Sequence, residues 1–329
     1  GTQLIFEDGA RLLSIGSAIT ARGASVLNVT SGVIVSSTAY NFTVVQVFED
    51  SQVLLGGSIP VYASFLIAET GGRLSFDVGI DVLVEGIVLR DASSGVTFRE
   101  RVVTKEVQFE GGLLGSPFGP EAAECELDVL QEMVFVGEST KLMNIGVLVN
   151  EGQMILDSGL SHPIIMGQQN VIYNEAGANL LLHRGLLQLE EGASSEESFL
   201  LNEGTISSNA TTSVIEIQFG VENMAGLVDI VAGEVSLNGF FVNVFGGRLQ
   251  LSGDGSVLRL QGGGLLLNGT IETGSGSSLV VGSRAGESSS LYFFDLLSNL
   301  FCYGPVSFAR AEVDMLGNFL AADGTIIQG

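Results

Sequence analysis

Val228-Asp229-Ile230, Val235-Ser236-Leu237, Val242-Asn243-Val244, Leu249-Gln250-Leu251, Leu258-Arg259-Leu260, Leu265-Leu266-Leu267, Ile271-Glu272-Thr273 and Leu279-Val280-Val281 follow one another along residues 226–282, with glycine between most of them. Their starts lie 7, 7, 7, 9, 7, 6 and 8 residues apart. That spacing is too short for an ordinary strand of five or six residues plus a hairpin, so each triplet reads as a three-residue strand followed by a corner. Every third triplet returns after 21 residues (228 to 249), 23 (235 to 258), 23 (242 to 265), 22 (249 to 271) and 21 (258 to 279). Three strands and about 22 residues per coil is the arithmetic of a parallel β-helix. The expected fold is therefore all-β, a single-stranded right-handed parallel β-helix, or β-solenoid. Each triplet turns two side chains into the coil and its middle one outward. Val228, Leu249 and Ile271 should stack in one inward column, and Val235, Leu258 and Leu279 in another.

The first third of the chain keeps the same beat, with Leu27-Asn28-Val29, Val45-Gln46-Val47, Val53-Leu54-Leu55, Phe65-Leu66-Ile67, Leu74-Ser75-Phe76 and Ile87-Val88-Leu89. It resumes later with Val147-Leu148-Val149, Met154-Ile155-Leu156, Val171-Ile172-Tyr173, Leu180-Leu181-Leu182 and Phe199-Leu200-Leu201. Pro60, at the outward middle of Ile59-Pro60-Val61, cannot donate to a ladder and should make that strand irregular. Residues 91–140 break the beat with Arg99, Arg101, Lys105, Gly111-Gly112, Pro117, Pro120 and an acid-rich run from Glu121 to Glu132. Pro120, with Ala123, Leu127, Leu130 and Val134 at helical spacing, predicts a short helix. Cys125, Leu127 and Val129 alternate as a strand would. The organisation expected is β-helix coils over 1–90, an irregular insertion over 91–140 that carries a short helix, and coils again over 141–329, all in one solenoid body.

A corner recurs as Asn150-Glu151-Gly152, Asn174-Glu175-Ala176-Gly177, Asn202-Glu203-Gly204 and Asn268-Gly269. Asn and Gly tolerate left-handed backbone angles, so this is a turn device first, and one that can align into an Asn stack along one edge. After residue 283 the aromatics concentrate as Tyr292, Phe293, Phe294, Phe301, Tyr303 and Phe308.

The chain has 329 residues, and a solenoid has no single core to outgrow, so this length calls for no division into domains. Hydrophobic residues make up 46%, yet they are dispersed in triplets, and no run approaches the roughly 18 apolar residues of a membrane helix. Membrane insertion is not expected. The net charge is −24, from 37 acids against 13 bases. That balance argues against nucleic acid as a partner, because phosphates must be neutralised by cations. A solvated, self-repelling surface is the simpler reading. Gly253-Asp254-Gly255 is an isolated match to a calcium-binding glycine-aspartate repeat and reads as a tight corner.

Cys125 and Cys302 are 177 residues apart. On one coil stack that is about 8 coils, or about 38 Å at about 4.8 Å per coil. A disulfide tolerates about 7 Å between Cα atoms. Unless the segment carrying Cys125 folds back, they should not pair with each other. Each is expected as a small buried hydrophobe, with a bond to another chain as the alternative. The chain opens on Gly1 and closes on Thr325-Ile326-Ile327-Gln328-Gly329, which reads as a further corner and strand. Solenoid ends need covering, so the polypeptide is expected to continue, or neighbouring subunits to cap it.

The Asn-Glu-Gly-Thr-Ile and Asn-Gly-Thr-Ile corners at 202–206 and 268–271, with the coil period, resemble those of right-handed parallel β-helix repeat proteins (pectin-lyase-like fold), of the extracellular adhesin or fibre type. The likeness spans nearly the whole chain, and its motifs specify coil geometry rather than a particular family. It implies an extracellular or cell-surface location and a structural or adhesive role. The same fold also carries polysaccharide lyases, glycoside hydrolases and viral tailspikes, so fold alone does not decide function.

Four sequons, at Asn28, Asn41, Asn209 and Asn268, make those asparagines candidate glycosylation sites. A catalytic reading needs a constellation. Lyases of this fold would need Arg or Lys near clustered Asp ligands, and hydrolases paired carboxylates. No recurring Asp cluster falls on one face. His183-Arg184-Gly185 is the nearest fragment to a hydrolase-like site, but a lone His among apolar residues is usually structural. His162 precedes Pro163 in an expected loop. No metal-ligand spacing, activated nucleophile or phosphate loop is present, so no catalytic residue, cofactor or metal is assigned.

The expectation is a non-enzymatic, glycosylated, extracellular β-solenoid, a segment of a filament, appendage or fibre such as a flagellar hair. It would associate with itself or with other chains of a surface assembly, with glycans as further partners. The alternatives are a carbohydrate-active enzyme working beside the 91–140 segment through Arg99, Arg101 or His183, and a glycan-binding tailspike-like module.

Overall fold

The computed structural model describes residues 3–6, 11–12, 17–21, 26–29, 34–35, 40–55, 60–76, 81–116, 125–159, 161–193, 197–282, 289–293, 298–308, 311–315, 317–321 and 327–328. The chain divides into two compact units, one formed by Gly1–Gly152 with Ile164–Asn170 and the other by Gln153–Pro163 with Val171–Gly329. Each unit is a stack of parallel β-coils. Among the described residues every strand pairing within a unit is parallel and no helix occurs. The expected all-β solenoid is the observed fold.

In the second unit the coil arithmetic can be read off directly. Arg248–Leu251, Val257–Leu260 and Gly264–Leu267 form one coil, and Thr270–Thr273, Ser278–Val281 and Ser289–Phe293 form the next, each strand pairing with its counterpart. Val228 registers with Leu249 and Leu249 with Ile271, while Val235 registers with Leu258 and Leu258 with Leu279. All six side chains are buried. Burying a Val, Leu or Ile side chain contributes about 1.5–3 kcal/mol, so each column holds its neighbouring coils together.

In the first unit, residues 91–140 are not an irregular insertion. Val82–Thr97, Arg101–Gly115 and Glu126–Phe135 are its longest strands and pair in parallel with one another. The start of the expected helix, Pro120–Ala123, lies outside the described residues; from Glu126 onward the run is strand. Leu127, Val129, Met133 and Phe135 are buried while Leu130 is exposed, so alternation rather than helical spacing decides the fold here. The physical reason is the neighbour. A strand laid on Arg101–Gly115 gains a ladder bond at most positions, which outweighs helix preferences of a few tenths of a kcal/mol per residue. The beat is blurred because the register slips between Thr104 and Glu106, and again between Leu89 and Gly95. Pro60 sits just ahead of Val61–Ala68, where its missing N–H costs the ladder nothing.

Several triplets run one residue out of phase with the expected reading. Leu66, Leu148, Ile172, Leu200 and Leu266 are the inward residues of Phe65-Leu66-Ile67, Val147-Leu148-Val149, Val171-Ile172-Tyr173, Phe199-Leu200-Leu201 and Leu265-Leu266-Leu267, so Phe65 and Leu267 are exposed. Except after Leu266, the residue two further on is then also inward. In Val171–Asn174 and Phe199–Asn202 it is an asparagine, fully buried.

These asparagines build a ladder inside the second unit. Asn174 Nδ2 donates to Asn202 Oδ1 at 2.7 Å, Asn202 Nδ2 to Asn223 Oδ1 at 2.7 Å, and Asn223 Nδ2 to Asn243 Oδ1 at 2.8 Å. Each Nδ2 also donates to backbone, as Asn223 does to the Gly226 carbonyl at 3.0 Å and Asn243 to that of Thr270 at 3.0 Å. The amide has two protons and a carbonyl, so an aligned stack can satisfy it without water. Gly226 and Gly247 follow from this ladder, since a Cβ on either would come within 2.4 Å of the Asn202 or Asn243 amide. Asn243, expected to face outward, is a member. Asn268 is not: the position after Asn243 in the column is Leu266, and Asn268 stands at the corner with φ 57°.

Two stability measurements by urea unfolding test this packing. Leu249→Asp buries a carboxylate with no partner and should cost about 3 kcal/mol or more, whereas Gln250→Ser, at an outward position, should stay within about 0.5 kcal/mol. Asn223→Ala leaves the Asn202 amide and the Asn243 carbonyl each short of a bond and should cost about 2 kcal/mol or more, while Asn209→Ala, at an exposed position, should be near neutral.

Candidate functional site

Outward positions carry the charge, and opposite charges meet across coils. Arg90 pairs with Glu69 at 3.0 Å, Lys105 with Glu85 at 3.2 Å, Arg184 with Asp157 at 2.5 Å, Arg248 with Glu272 at 3.6 Å and Arg259 with Glu234 at 2.6 Å. Exposed pairs of this kind contribute about 0–1 kcal/mol each and fix register more than they add stability.

Among the described residues, one cation meets two carboxylates where Arg101 faces Glu126, its ladder neighbour, and Asp128. Arg101 Nε donates to Asp128 Oδ2 at 2.8 Å and lies 3.3 Å from Glu126 Oε1, and its Nη2 also bonds Asp128. Asp128 occupies an outward position, in register with Val103 and Val149, yet its side chain is only 2% exposed beneath the arginine. Its Oδ1 has no hydrogen-bond partner. Burial, then the hydrogen bond and charge of Asp128, raise the Glu126 pKa against the pull of Arg101. The hydrogen bond that Arg101 donates to Asp128, followed by the charge of Asp128, raises the pKa of Arg101. Two neighbouring carboxyl groups are the raw material of acid–base hydrolysis. Here Asp128 is sealed under Arg101, and the pair ties two neighbouring coils together. The alternation of Cys125, Leu127 and Val129 was the signal that placed Glu126 and Asp128 together on one face.

The remaining residues singled out for catalysis fall elsewhere. Arg99 is half-buried after Phe98, in the first unit. His183 and His162 belong to the second unit; His183 is half-buried in Asn179–Leu189, and the His162 carbonyl accepts from Ser158 Oγ at 2.6 Å. Among the described residues no group of three or more His, Cys, Asp or Glu is placed to hold a metal ion.

Asp91 organises a corner. Its carboxylate accepts from Ser93 N at 3.0 Å, Ser93 Oγ at 2.6 Å, Ser94 Oγ at 2.7 Å and Gly71 N at 3.4 Å, and from Thr70 N. Burial pushes its pKa up, and the bonds from Ser93, Ser94 and Thr70 more than reverse this, bringing it to about 2.

One buried charged group, Lys141, was not anticipated, whereas the two buried thiols were. Lys141 is wholly buried in the strand Lys141–Asn144, with Nζ donating to the Ser139 carbonyl at 2.9 Å. Burial lowers its pKa to about 8 against the opposing charge of Glu110. Cys125 and Cys302 are both buried thiols, as expected of small hydrophobes. Burial raises both, Cys302 to about 11 against a hydrogen bond with Thr273.

Of the sequon asparagines, Asn28 registers with Leu54, and Asn41 lies in Tyr40–Val47 opposite Tyr62. Asn209 is exposed at a slip in register inside Thr205–Ile217, and Asn268 is exposed at its corner. Comparison with known proteins finds no matching family model, no similar curated sequence and no similar solved structure.

Because the Asp91 pKa is lowered in the folded state, its contribution to stability is present above about pH 4 and is lost as pH falls toward 2. Asp91→Asn should therefore destabilise the protein at pH 6, and the difference from wild type should shrink between pH 4 and pH 2, measured by thermal unfolding.

Proposed function

We propose that this chain is a non-enzymatic structural or adhesive β-solenoid, a segment of an extracellular filament, appendage or surface fibre. The observation that carries the reading is where the polar chemistry goes. The buried amides Asn174, Asn202, Asn223 and Asn243 bond one another from coil to coil, and the charged cluster of Arg101 with Glu126 and Asp128 is closed over its own carboxylate. Groups that an enzyme would hold open to substrate are used to tie neighbouring coils, which is what a structural coil stack requires. The acidic surface suits an exposed fibre kept from nonspecific collapse, and glycans on Asn209 and Asn268, both exposed, would add to it.

Electron microscopy of the protein in its native source, with an antibody against the purified chain, tests this. Label along extracellular fibres or the cell surface, and glycopeptides at Asn209 or Asn268 by mass spectrometry, are expected. Dispersed monomers confined to the cytoplasm would overturn the reading.

A further inference from the structure

Gly95 occupies an outward position in the middle of the ladder formed by Gln52, Arg73, Gly95, Leu113, Leu142 and Ile165, each in register with the next. Its backbone is not in the left-handed region, and a Cβ added to it would meet only Leu113, at 3.6 and 3.8 Å, which is ordinary contact. Neither backbone angle nor crowding therefore calls for glycine there. Glycine inside a strand weakens it, and commonly marks a place where something else must come close.

The missing side chain opens a cleft of about 410 Å³. That falls within the size range of small-molecule sites. Its walls are chemically sorted. Arg73 stands on one side, and the Ser75 and Thr97 hydroxyls, bonded to each other at 2.8 Å, lie along the same coils. Leu113 and Leu142 supply an apolar side. Among the described residues Arg73 is the one charged residue lining the cleft and has no acidic partner, in a chain that has 37 acids to 13 bases. Where Arg90, Arg101, Arg184, Arg248 and Arg259 are each matched by a carboxylate across a coil, Arg73 faces a hollow.

We propose that the cleft over Gly95 binds a monocarboxylate borne on an apolar body, its carboxylate on the Arg73 guanidinium and its apolar part against Leu113 and Leu142. The planar guanidinium fork matches a carboxylate. A single cation neutralises a monoanion, while a dianion would leave charge unmatched on a surface that is already strongly negative. The Ser75 hydroxyl, which accepts from Thr97 Oγ1, can donate its own proton to a second oxygen of the ligand. The carboxylate can come from a free organic acid or from the C-terminal residue of a polypeptide. Binding here neither needs nor prevents assembly into a fibre, which imaging reads separately.

Calorimetric titration of the whole chain with hexanoate, N-acetyl-leucine, hexan-1-ol and inorganic phosphate tests this. Hexanoate and N-acetyl-leucine should bind saturably, with hexan-1-ol and phosphate at least ten-fold weaker. Tighter hexanoate would identify a free acid as the source, and tighter N-acetyl-leucine a polypeptide end. Arg73→Gln should weaken hexanoate at least ten-fold. Gly95→Val should abolish binding while melting no lower than wild type, because the added side chain fills the cleft without strain. Equal binding of hexanoate to wild type and both variants, phosphate binding as tightly as hexanoate, or no saturable binding at all would overturn the proposal. So would a lower melting temperature for Gly95→Val, since glycine would then be there for the backbone.

Discussion

A residue in a stacked coil has two neighbours that matter most, the residues directly above and below it in the ladder. Within each unit those neighbours are some 20 to 30 positions away in sequence, as Leu249 is from Val228 and Ile271. Whatever a side chain needs must be supplied by its own column. An inward valine needs an apolar neighbour, a buried amide needs another amide, and an outward arginine needs an acid. The parallel backbone ladder enforces this, because slipping a strand by one residue would turn its whole inward set outward.

That constraint explains how an asparagine can be fully buried without cost. One buried Asn in an apolar coil would leave donors unsatisfied, at about 1–3 kcal/mol each. Four in successive coils bond one another and the adjacent carbonyls, so the column is self-sufficient. It also ends cleanly where Leu266 takes the register position after Asn243 and apolar contact takes over. Lys141 has the opposite situation. It fills an inward position whose ladder neighbours are Gly112 and Ile164, so the column offers its ammonium no matching charge; Nζ donates to the Ser139 carbonyl, and burial depresses its pKa to about 8 against the charge of Glu110.

The same constraint decides how much could be read from the sequence. The coil period was legible because triplets with a polar middle, such as Leu249-Gln250-Leu251 and Leu258-Arg259-Leu260, state both their length and their phase. Triplets apolar throughout, such as Val147-Leu148-Val149 and Leu265-Leu266-Leu267, state length alone, and their phase is set by a column that local inspection does not see. The Asn corners were recognisable as a recurrent device, but their inward direction depended on partners such as Asn223 and Asn243, which lie in less conspicuous surroundings. In 91–140 the strands were hidden because slips at Leu89–Gly95 and Thr104–Glu106 erased the beat. The Arg101 cluster was half visible, since Arg101 stood out while Asp128 needed the register to bring it across. The hollow at Gly95 was invisible, because it is defined by what is absent between Arg73 and Leu113.

Slips in register are where a repeating structure can acquire individuality. A regular column fixes every outward neighbour, so a side chain aimed in a new direction, or an open hollow, calls for a bulge that re-aims the strand. The slip between Arg90 and Gly95 does this: the inserted residues turn around Asp91, whose carboxylate ties them to Thr70 and Gly71 of the preceding coil, and the strand re-enters the ladder at Gly95. The corner is held by the ionised carboxylate and the floor of the cleft is left bare by the glycine immediately after it. The second unit has its own slip between Ser208 and Val214, where Ser208 Oγ reaches the Ala232 carbonyl at 2.8 Å and the next residue, Asn209, is exposed. The regular coils repeat their surface, and interruptions such as these two, each anchored by a short polar side chain to the neighbouring coil, are places where the surface stops repeating.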